Sequence, residues 1–196
     1  SGKSIGVCKD HPAKIRSLIE KGIEDFDMLV TIGGSSVGAR DFTPDAVGSM
    51  EESVLLFHGV RLAPIKPVGL ALVRGKPVAI LPGHAVSAAL SFFLIALPIL
   101  NLLSGLAFDS RRSFVNALTT KRISNDRAMD ALFLVGMKSS GGRHYATPLE
   151  WGSNSMSNLS KANGFIYLKK RQVIQRSEEV EVELMGSSEF SRIPRR

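Results

Sequence analysis

A glycine-rich loop followed by an acidic residue is the part of the sequence best suited to phosphate chemistry. An apolar run over residues 28–32 leads into the hexapeptide GGSSVG at residues 33–38, and Asp41 follows shortly before a helix start at Thr43. Glycines let backbone N–H groups approach an anion, and a helix N-terminus favours negative charge, so this order predicts an anion-binding loop. A tight strand-to-helix turn without a ligand stays open as the alternative. The predicted phosphate contacts are Gly33, Gly34, Ser36 and Gly38.

A second segment adds a cation and another turn that leads into a helix. Lys66 lies between two prolines, and two short apolar stretches, residues 68–73 and 76–81, flank a two-residue Arg-Gly turn. This arrangement predicts a hairpin. A Leu-Pro-Gly turn comes next, just before a long apolar stretch. Ser87 follows this turn and is a candidate donor at the helix N-terminus.

The apolar stretch over residues 85–103 is long enough to be considered as a membrane span. It contains Ser87, Ser91, Pro98 and Asn101 and lacks basic anchors on both flanks. These features favour a buried helix over a membrane span. Pro98 has no N–H to donate, which predicts a kink in that helix.

Helix and strand patterns alternate in the first half of the chain and give way to strands in the second. Residues 5–8 predict a short strand, and Asp10 is the predicted N-cap of a helix with one apolar face. From residue 114 onward, short apolar runs lie between turns rich in Gly, Ser and Asn, which predicts an all-β module. We therefore expect an α/β domain over residues 1–105, a β domain over 112–186 and a basic tail over 187–196.

Composition excludes several classes of protein. A chain with 44% hydrophobic and 22% charged residues has globular rather than disordered composition. Its single cysteine, Cys8, rules out a disulfide framework and favours a reduced, cytoplasmic setting. The net charge of +7 comes from scattered basic residues without a recognisable nucleic-acid-binding motif, which disfavours a nucleic-acid partner.

Three motifs in this order resemble the molybdopterin molybdenumtransferase family, which includes the bacterial MoeA proteins and the E domain of gephyrin. That family carries Thr-x-Gly-Gly-x-Ser-x-Gly with a following Asp, then Lys-Pro-Gly-Lys-Pro, then Leu-Pro-Gly-Asn-Pro-Val-Ser. The corresponding residues here are 31–41, 63–67 and 81–87. The resemblance implies a parallel-rich, three-layer α/β domain of the molybdopterin-binding type followed by a small β-barrel. It also implies that the domain's opening strand and helix, and two N-terminal domains, are missing, so that the sequence is a segment of a longer protein or a reduced relative.

The same resemblance implies an activity and a set of site residues. The family inserts molybdate into adenylylated molybdopterin and releases AMP, with Mg²⁺ assisting. Asp10, Asp41 and Lys66 take catalytic roles by this resemblance, and the two carboxylates also become Mg²⁺ ligands. Pro82, Gly83 and Ser153 join the substrate-binding residues by the same resemblance, and Arg127 matches a family arginine less closely. For Asp10, a plain helix-capping role stays open.

The resemblance extends to partners and location. It implies a cytoplasmic homodimer, with the molybdopterin adenylyltransferase as a further partner and no membrane association. The long apolar helix independently needs a covering surface, either a core or a second subunit.

Departures from the family motifs leave two functions open. Ala63 replaces the first family lysine, Ile65 replaces a glycine, and His84-Ala85 replaces Asn-Pro. One hypothesis is a molybdenumtransferase, and the other is a catalytically impaired module of the same family that binds molybdopterin or a partner. The related molybdopterin adenylyltransferase is disfavoured by the C-terminal β module.

Overall fold

The computed structural model describes residues 2–34, 42–107, 112–152 and 155–186. The chain divides into two compact units, Ser1–Val60 with Ile65–Phe108 and Arg61–Pro64 with Asp109–Arg196. The short segment Arg61–Pro64 therefore groups with the second unit although it lies within the first half of the sequence.

The first unit is a layered α/β structure with one mixed sheet. The elements are α1 (Pro12–Asp25), β1 (Leu29–Ile32), α2 (Phe42–Gly48), β2 (Ser53–His58), β4 (Gly69–Val73) and β5 (Lys76–Leu81). The sheet has the strand order β1-β5-β4-β2. Strand β1 pairs parallel with β5, while the β5–β4 and β4–β2 pairs are antiparallel.

The predicted α/β class is confirmed, whereas the strands are mixed in direction rather than mainly parallel. The predicted hairpin explains most of this difference, because a two-residue turn can join only antiparallel strands. Arg74 and Gly75 form that turn with φ values of 49° and 74°, as a type I′ hairpin turn requires.

The expected strand at residues 5–8 is wrong, since Ile5 and its neighbours pair with no described strand. Ile5 packs instead against α1 and the core beside it. A Cβ on Gly22 would lie 2.9 Å from Ile5 Cδ1 and 2.7 Å from Leu29 Cδ2. The absence of a side chain at Gly22 thus lets both residues contact the helix directly.

The first unit's core lies between α1, α2 and one face of the sheet. Valine, isoleucine and alanine side chains from alternate strand positions meet the apolar face of α1 there, as a half-buried sheet requires. The buried residues include Ile15, Ile19, Ile23, Ala46, Val47, Ala71, Val73, Val78 and Ile80.

The apolar helix Ala85–Leu103 follows β5. Its central segment Phe92–Ala96 is a π-helix, and Leu97 N–H donates to the Phe92 carbonyl five residues back. This local widening comes immediately before Pro98, which has no N–H to bond a preceding carbonyl, so the predicted disturbance takes the form of a π segment.

The apolar helix has the length and composition of a membrane-crossing helix, and 39% of its most apolar 18-residue window is buried. Core helices of soluble proteins can have the same length and composition. Its buried residues include Ser87, Ser91 and Asn101, while Leu102 and Leu103 are about half exposed.

The second unit is the predicted small β-barrel. Strand β10 pairs with both β12 and β8, which closes the sequence β10-β12-β6-β9-β8 into a ring, and β3 adds to β8 in parallel. Closure leaves no open sheet edge around the ring. The strands are β3 (Leu62–Ala63), β6 (Phe114–Thr119), β8 (Asp130–Ser140), β9 (Arg143–Pro148), β10 (Gly164–Leu168) and β12 (Glu179–Leu184).

A two-stranded ribbon and a short helix complete the second unit. The ribbon pairs β7 (Ile123–Ser124) with β11 (Val173–Ile174), and the helix spans Met156–Lys161. Ser155 caps this helix by accepting a hydrogen bond from the Asn158 N–H at 3.3 Å. The barrel interior is filled by alternating apolar residues such as Val135, Ile166, Leu168 and Val182.

Candidate functional site

Two glycine-containing turns meet where the parallel strands β1 and β5 end. The Gly33 N–H donates to the Leu81 carbonyl at 3.0 Å, which extends the β1–β5 pairing into the first turn. A Cβ on Gly83 would lie 3.4 Å from Gly33 Cα, which is van der Waals contact, so the two turns approach each other closely. We call this contact between residues 33–34 and 82–83 the glycine contact. Ligands of open α/β sheets bind at this carboxyl edge.

Helix α2 is fixed against the first of these turns by Thr43. Its N–H donates to the Gly34 carbonyl at 3.1 Å, and its hydroxyl donates to the Gly33 carbonyl at 3.4 Å. The helix begins at Phe42, one residue before the predicted start, so Thr43 lies within the helix and ties it to the loop. Gly34 has φ +66°, and a Cβ there would lie 2.5 Å from Thr43 Oγ1. Both observations require glycine at this position.

Asp10 contributes a carboxylate beside the same turn. Its Oδ1 atom lies 3.9 Å from the position that a Cβ on Gly34 would take. The N-cap of α1 is His11, not Asp10 as the sequence pattern predicted, and His11 makes no side-chain capping bond. The exposed Asp10 carboxylate therefore remains available at the carboxyl edge of the sheet.

The second turn leads into the N-terminus of the apolar helix. His84 is the N-cap in an extended conformation, without a side-chain capping bond. Ser87, in the first turn, is only 1% exposed. The first N–H groups of a helix have no acceptor within it, so this terminus can offer donors to a ligand.

Lys66 lies in a third turn at the same edge of the sheet. Gly69 at the start of β4 is paired with Ile80 at the end of β5, which places the preceding turn at the carboxyl edge of β5. The turn is closed by the Val68 N–H donating to the Ile65 carbonyl at 2.9 Å. The side chain of Lys66 is exposed, so it can supply positive charge there.

The family departures at residues 63 and 65 have structural consequences. Ala63 pairs with Ala131 and packs against the barrel core, so no cation is available from that position. Ile65 is 2% exposed, and its side chain fills space in the first unit.

Several predicted site residues lie outside the residues that the structure describes. These are Ser36, Gly38, Asp41 and Ser153. Within the described ranges, the structure brings together Gly33, Gly34, Asp10, Pro82 and Gly83, with Ser87 in the helix that follows. The sequence had indicated Thr43 only as a helix start, because its contact with the loop depends on tertiary packing.

In the second unit, Asp130 and Tyr167 shift each other's pKa. Tyr167 Oη donates to Asp130 Oδ2, and the Lys170 N–H donates to Asp130 Oδ1 at 2.8 Å. The Tyr167 bond, followed by the Lys170 bond, lowers the pKa of Asp130, and the Asp130 carboxylate in turn raises the pKa of Tyr167. Sequence patterns alone gave no sign of this pair.

Arg127 packs over an aromatic ring rather than extending freely into solvent. Its guanidinium carbon lies 3.6 Å from the centroid of the Trp151 ring, which itself contacts Phe133. Partial burial lowers the pKa of Arg127, with a smaller opposing effect from Asp126. The stacking holds this arginine at one place on the barrel.

The described residues contain no group of three or more His, Cys, Asp or Glu side chains arranged to hold a metal ion. A structural zinc or calcium site built from such side chains is thus not found in residues 2–34, 42–107, 112–152 and 155–186. Magnesium has a different requirement, since it takes one or two carboxylates and completes its shell with phosphate oxygens and water.

Comparison with known protein families covers nearly the whole chain. Residues 2–102 match the family described as a probable molybdopterin binding domain, and residues 116–185 match the MoeA C-terminal region, domain IV. These two matches correspond to the α/β unit and the barrel.

Individual relatives give the same result. The chain is 29% identical over 164 residues to molybdopterin molybdenumtransferase 2 of Mycobacterium tuberculosis, covering 80% of this chain and 39% of the relative. It is 26% identical over 175 residues to a molybdopterin molybdenumtransferase of a Nostoc species, covering 83% and 38%. The chain therefore spans about two fifths of the length of these relatives.

A solved structure shares the architecture. The molybdopterin biosynthesis MoeA protein of Pyrococcus horikosii superposes with a TM-score of 0.75 at 28% identity. The match covers 92% of this chain and 42% of that protein.

Proposed function

Since the chain belongs to the MoeA family of molybdenum cofactor biosynthesis proteins, we propose that it takes part in inserting molybdate into adenylylated molybdopterin with release of AMP. The glycine contact at the carboxyl edge of β1 and β5 carries this proposal. It brings together backbone donors, the Asp10 carboxylate and the helix turn that contains Ser87. A substrate with a phosphoanhydride needs this combination of donors and charge.

Binding depends on the backbone of the two turns. N–H groups of Gly34 and the first turn of the apolar helix favour phosphate oxygens, because they carry partial positive charge, whereas the Gly33 N–H is already bonded to the Leu81 carbonyl. The Ser87 hydroxyl adds a side-chain donor in a nearly dry environment. Ser36 and Gly38 extend the loop in sequence, and Pro82 limits the flexibility of the second turn.

Charge at the site is divided between a carboxylate and a lysine. Cleaving the bond to AMP leaves negative charge on phosphate oxygens, and the exposed Lys66 ammonium stabilises that charge by proximity. Asp10 and Asp41 repel a bare anion, so they require a cation between themselves and the substrate. Two carboxylates fit Mg²⁺ that is shared with phosphate oxygens, and Mg²⁺ bound in this way would supply charge neutralisation.

A second candidate function follows from the position of Ala63. Its methyl group packs against the barrel core, so the site holds one lysine in the motif where the family has two. Loss of a cation reduces stabilisation of the leaving phosphate more than it reduces binding. A module that binds molybdopterin without turnover is therefore the alternative.

The partners belong to the same proposal. A second copy of the chain is the expected cover for the exposed end of the apolar helix near Leu102 and Leu103, and sedimentation velocity at micromolar concentration would detect the homodimer. The molybdopterin adenylyltransferase, which would deliver the substrate, is the proposed second partner, in the cytoplasm.

Calorimetric titration with adenylylated molybdopterin tests the proposal directly. We expect the wild-type chain to bind more tightly with Mg²⁺ than without it. Asp10→Asn and Asp41→Ala should each remove most of that gain, on the order of tenfold in affinity, or about 1.4 kcal/mol. Chromatography of released AMP then separates turnover from binding alone.

Asp27→Asn is the matched control. Asp27 is an exposed acid that precedes β1, at the opposite end of the strand from the glycine contact. Its substitution should leave affinity and its Mg²⁺ dependence unchanged. Wild-type protein that binds equally with and without Mg²⁺, and is insensitive to both site substitutions, would show that the loop is only a structural turn.

A further inference from the structure

Basic residues that are scattered in the sequence meet on one surface of the barrel. Strand β11 lies between two turns, residues 169–172 and 175–178, and pairs with β7. Residues 121–122 precede β7, beside the second turn, where the Ser177 N–H donates to the Thr119 carbonyl at 2.8 Å. We call these two strands, the two turns and residues 121–122 the basic ribbon. Its exposed cations are Lys121, Arg122, Lys169, Lys170, Arg171 and Arg176.

We propose that the basic ribbon binds a short acidic segment of a partner protein. The turns that hold the cations are fixed by hydrogen bonds, nearby carboxylates are bonded within the barrel, and an apolar residue lies among the cations. This surface belongs to the second unit, so its function does not depend on the oxyanion site proposed for the first unit.

The two turns are closed by the same pair of hydrogen bonds. In the first turn, the Gln172 N–H donates to the Lys169 carbonyl at 3.1 Å, and the Lys169 N–H donates to Gln172 Oε1 at 2.8 Å. In the second turn, the Glu178 N–H donates to the Gln175 carbonyl at 3.2 Å, and the Gln175 N–H donates to Glu178 Oε2 at 2.7 Å. Because the backbone is already ordered, a partner that binds these turns loses little affinity to their ordering.

Both turns also contain a strained backbone position. The third residue of each turn has a positive φ, 58° at Arg171 and 65° at Ser177. Residues other than glycine rarely adopt this conformation, which costs them about 1 kcal/mol. Glycine would relieve the strain at Arg171 but would remove a cation from the surface. Strain of this kind is concentrated at functional sites.

The cations of the ribbon are available to a partner. Three nearby carboxylates, those of Asp126, Asp130 and Glu178, each accept a hydrogen bond from a described neighbour. By contrast, none of the six cationic side chains forms an ion pair or a side-chain hydrogen bond with a residue that the structure describes. Carboxylates of a partner would supply the missing opposite charge, which speeds association and fixes its register.

The composition of the ribbon favours a protein segment over a nucleic acid. Single-stranded nucleic acids bind by stacking their bases on aromatic rings, and residues 121–124 and 169–178 include no aromatic residue. Val173, between the two turns, is 37% exposed and can contact an apolar side chain of the partner. An extended chain rises about 3.3 Å per residue, so a segment of about six residues would reach from Arg171 to Arg176.

Fluorescence anisotropy with the labelled peptide Glu-Glu-Glu-Leu-Glu-Glu-Glu tests the proposal on the whole chain. We expect this peptide to bind with an affinity that falls as salt is added, and its glutamine analogue not to bind. In the double variant Arg171→Glu/Arg176→Glu, the affinity should fall about tenfold or more, because two attractive contacts become repulsive.

The double variant Lys138→Glu/Arg143→Glu is the matched control, since it changes the net charge by the same amount. Both residues are exposed. Asp130 begins β8 beside the ribbon, where it accepts a hydrogen bond from the Lys170 N–H, and Lys138 lies about 26 Å further along that strand. Screening at this distance should limit the loss of affinity to less than about threefold.

Three results would overturn the proposal. These are wild-type protein that does not bind the peptide, equal losses in the ribbon and control variants, and an oligothymidine that binds the ribbon more tightly than the peptide does. The last result would assign the surface to nucleic acid. The urea midpoint from Trp151 fluorescence checks that each variant is folded. If the ribbon variant is not, Arg171→Gln/Arg176→Gln takes its place, and unchanged affinity in that neutral variant would also overturn the proposal.

Discussion

Two buried polar side chains, one in each unit, differ in how the fold satisfies them. In the barrel, Asn125 is fully buried, and its amide nitrogen donates to the carbonyls of Met129, Leu168 and Lys169. In the first unit, Ser91 is also fully buried, and its hydroxyl has no hydrogen-bond partner among the described residues. Polar groups whose bonds are already satisfied within the fold cannot bind a ligand without losing stability. The Asn125 amide is therefore structural, and the ligand site is proposed for the first unit.

The largest expected effect is on the stability of the barrel. Asn125→Ala removes the donor shared by three carbonyls and leaves them without that partner in a buried setting, which should cost about 3 kcal/mol. Trp151 is the single tryptophan and lies in the barrel, so its fluorescence during urea denaturation reports the unfolding of that unit.

Asn116→Ala is the control for this prediction. Asn116 is an exposed residue of β6, and its substitution should change the free energy of unfolding by less than about 0.5 kcal/mol. Equal losses in the two variants would show that the Asn125 network does not stabilise the barrel. Anion binding by the first unit should be unaffected in both.

The second expected effect separates steric crowding from backbone strain in the first unit. Gly34→Ala places a Cβ 2.5 Å from Thr43 Oγ1 at a φ of +66°, whereas Gly75→Ala meets nothing within 4 Å at a φ of +74°. Strain alone should cost about 1 kcal/mol for Gly75→Ala. Gly34→Ala should cost about 2 kcal/mol, because Thr43 must move as well. Far-UV circular dichroism during denaturation measures both.

Ligand binding sharpens the same comparison. Because Thr43 holds α2 against the loop, Gly34→Ala should also weaken oxyanion binding, and Gly75→Ala should not. Equal losses of stability in the two variants, together with unchanged oxyanion binding by the Gly34→Ala variant, would show that the loop is not part of the binding site.

Periodicity in the sequence was sufficient to predict most of the secondary structure. The apolar face of α1, the hairpin across Arg74-Gly75 and the short strands of the barrel all depend on local patterns. The prediction of a strand at residues 5–8 was wrong because a short apolar run does not specify whether it pairs with a strand or packs against a helix. At Ile5, contact with α1 across Gly22 decided the outcome.

The site was less predictable, because its contacts join residues distant in sequence. Motif order identified Gly33, Gly34 and Gly83, but only the fold shows that the turns touch. Asp10 was assigned to a helix cap by its spacing from the helix, yet His11 is the residue at that position. The tie from Thr43 to the loop, and the Asp130–Tyr167 pair, link positions without any shared motif.

The smallest expected effect concerns the exposed Asp130–Tyr167 pair in the barrel. Hydrogen bonding to Tyr167 lowers the pKa of Asp130, and the same bond raises the pKa of Tyr167. A lowered carboxyl pKa stabilises the fold above the unfolded value near pH 4, and this contribution is lost as pH falls through the folded pKa. The raised pKa of Tyr167 stabilises the fold below the unfolded value near pH 10, and this contribution is lost as pH rises through the folded pKa.

Ultraviolet absorbance of tyrosinate can follow Tyr167 alone in a Tyr145→Phe background, since the chain has two tyrosines. In that background, the titration midpoint should lie above the ordinary value of about 10, and Asp130→Asn should move it back toward that value. Replacing the carboxylate by a neutral amide leaves the phenol with a weaker acceptor and eliminates the repulsion of the phenolate, so both changes act in the same direction. An unchanged midpoint in the Asp130→Asn variant would mean that the pair does not persist in solution.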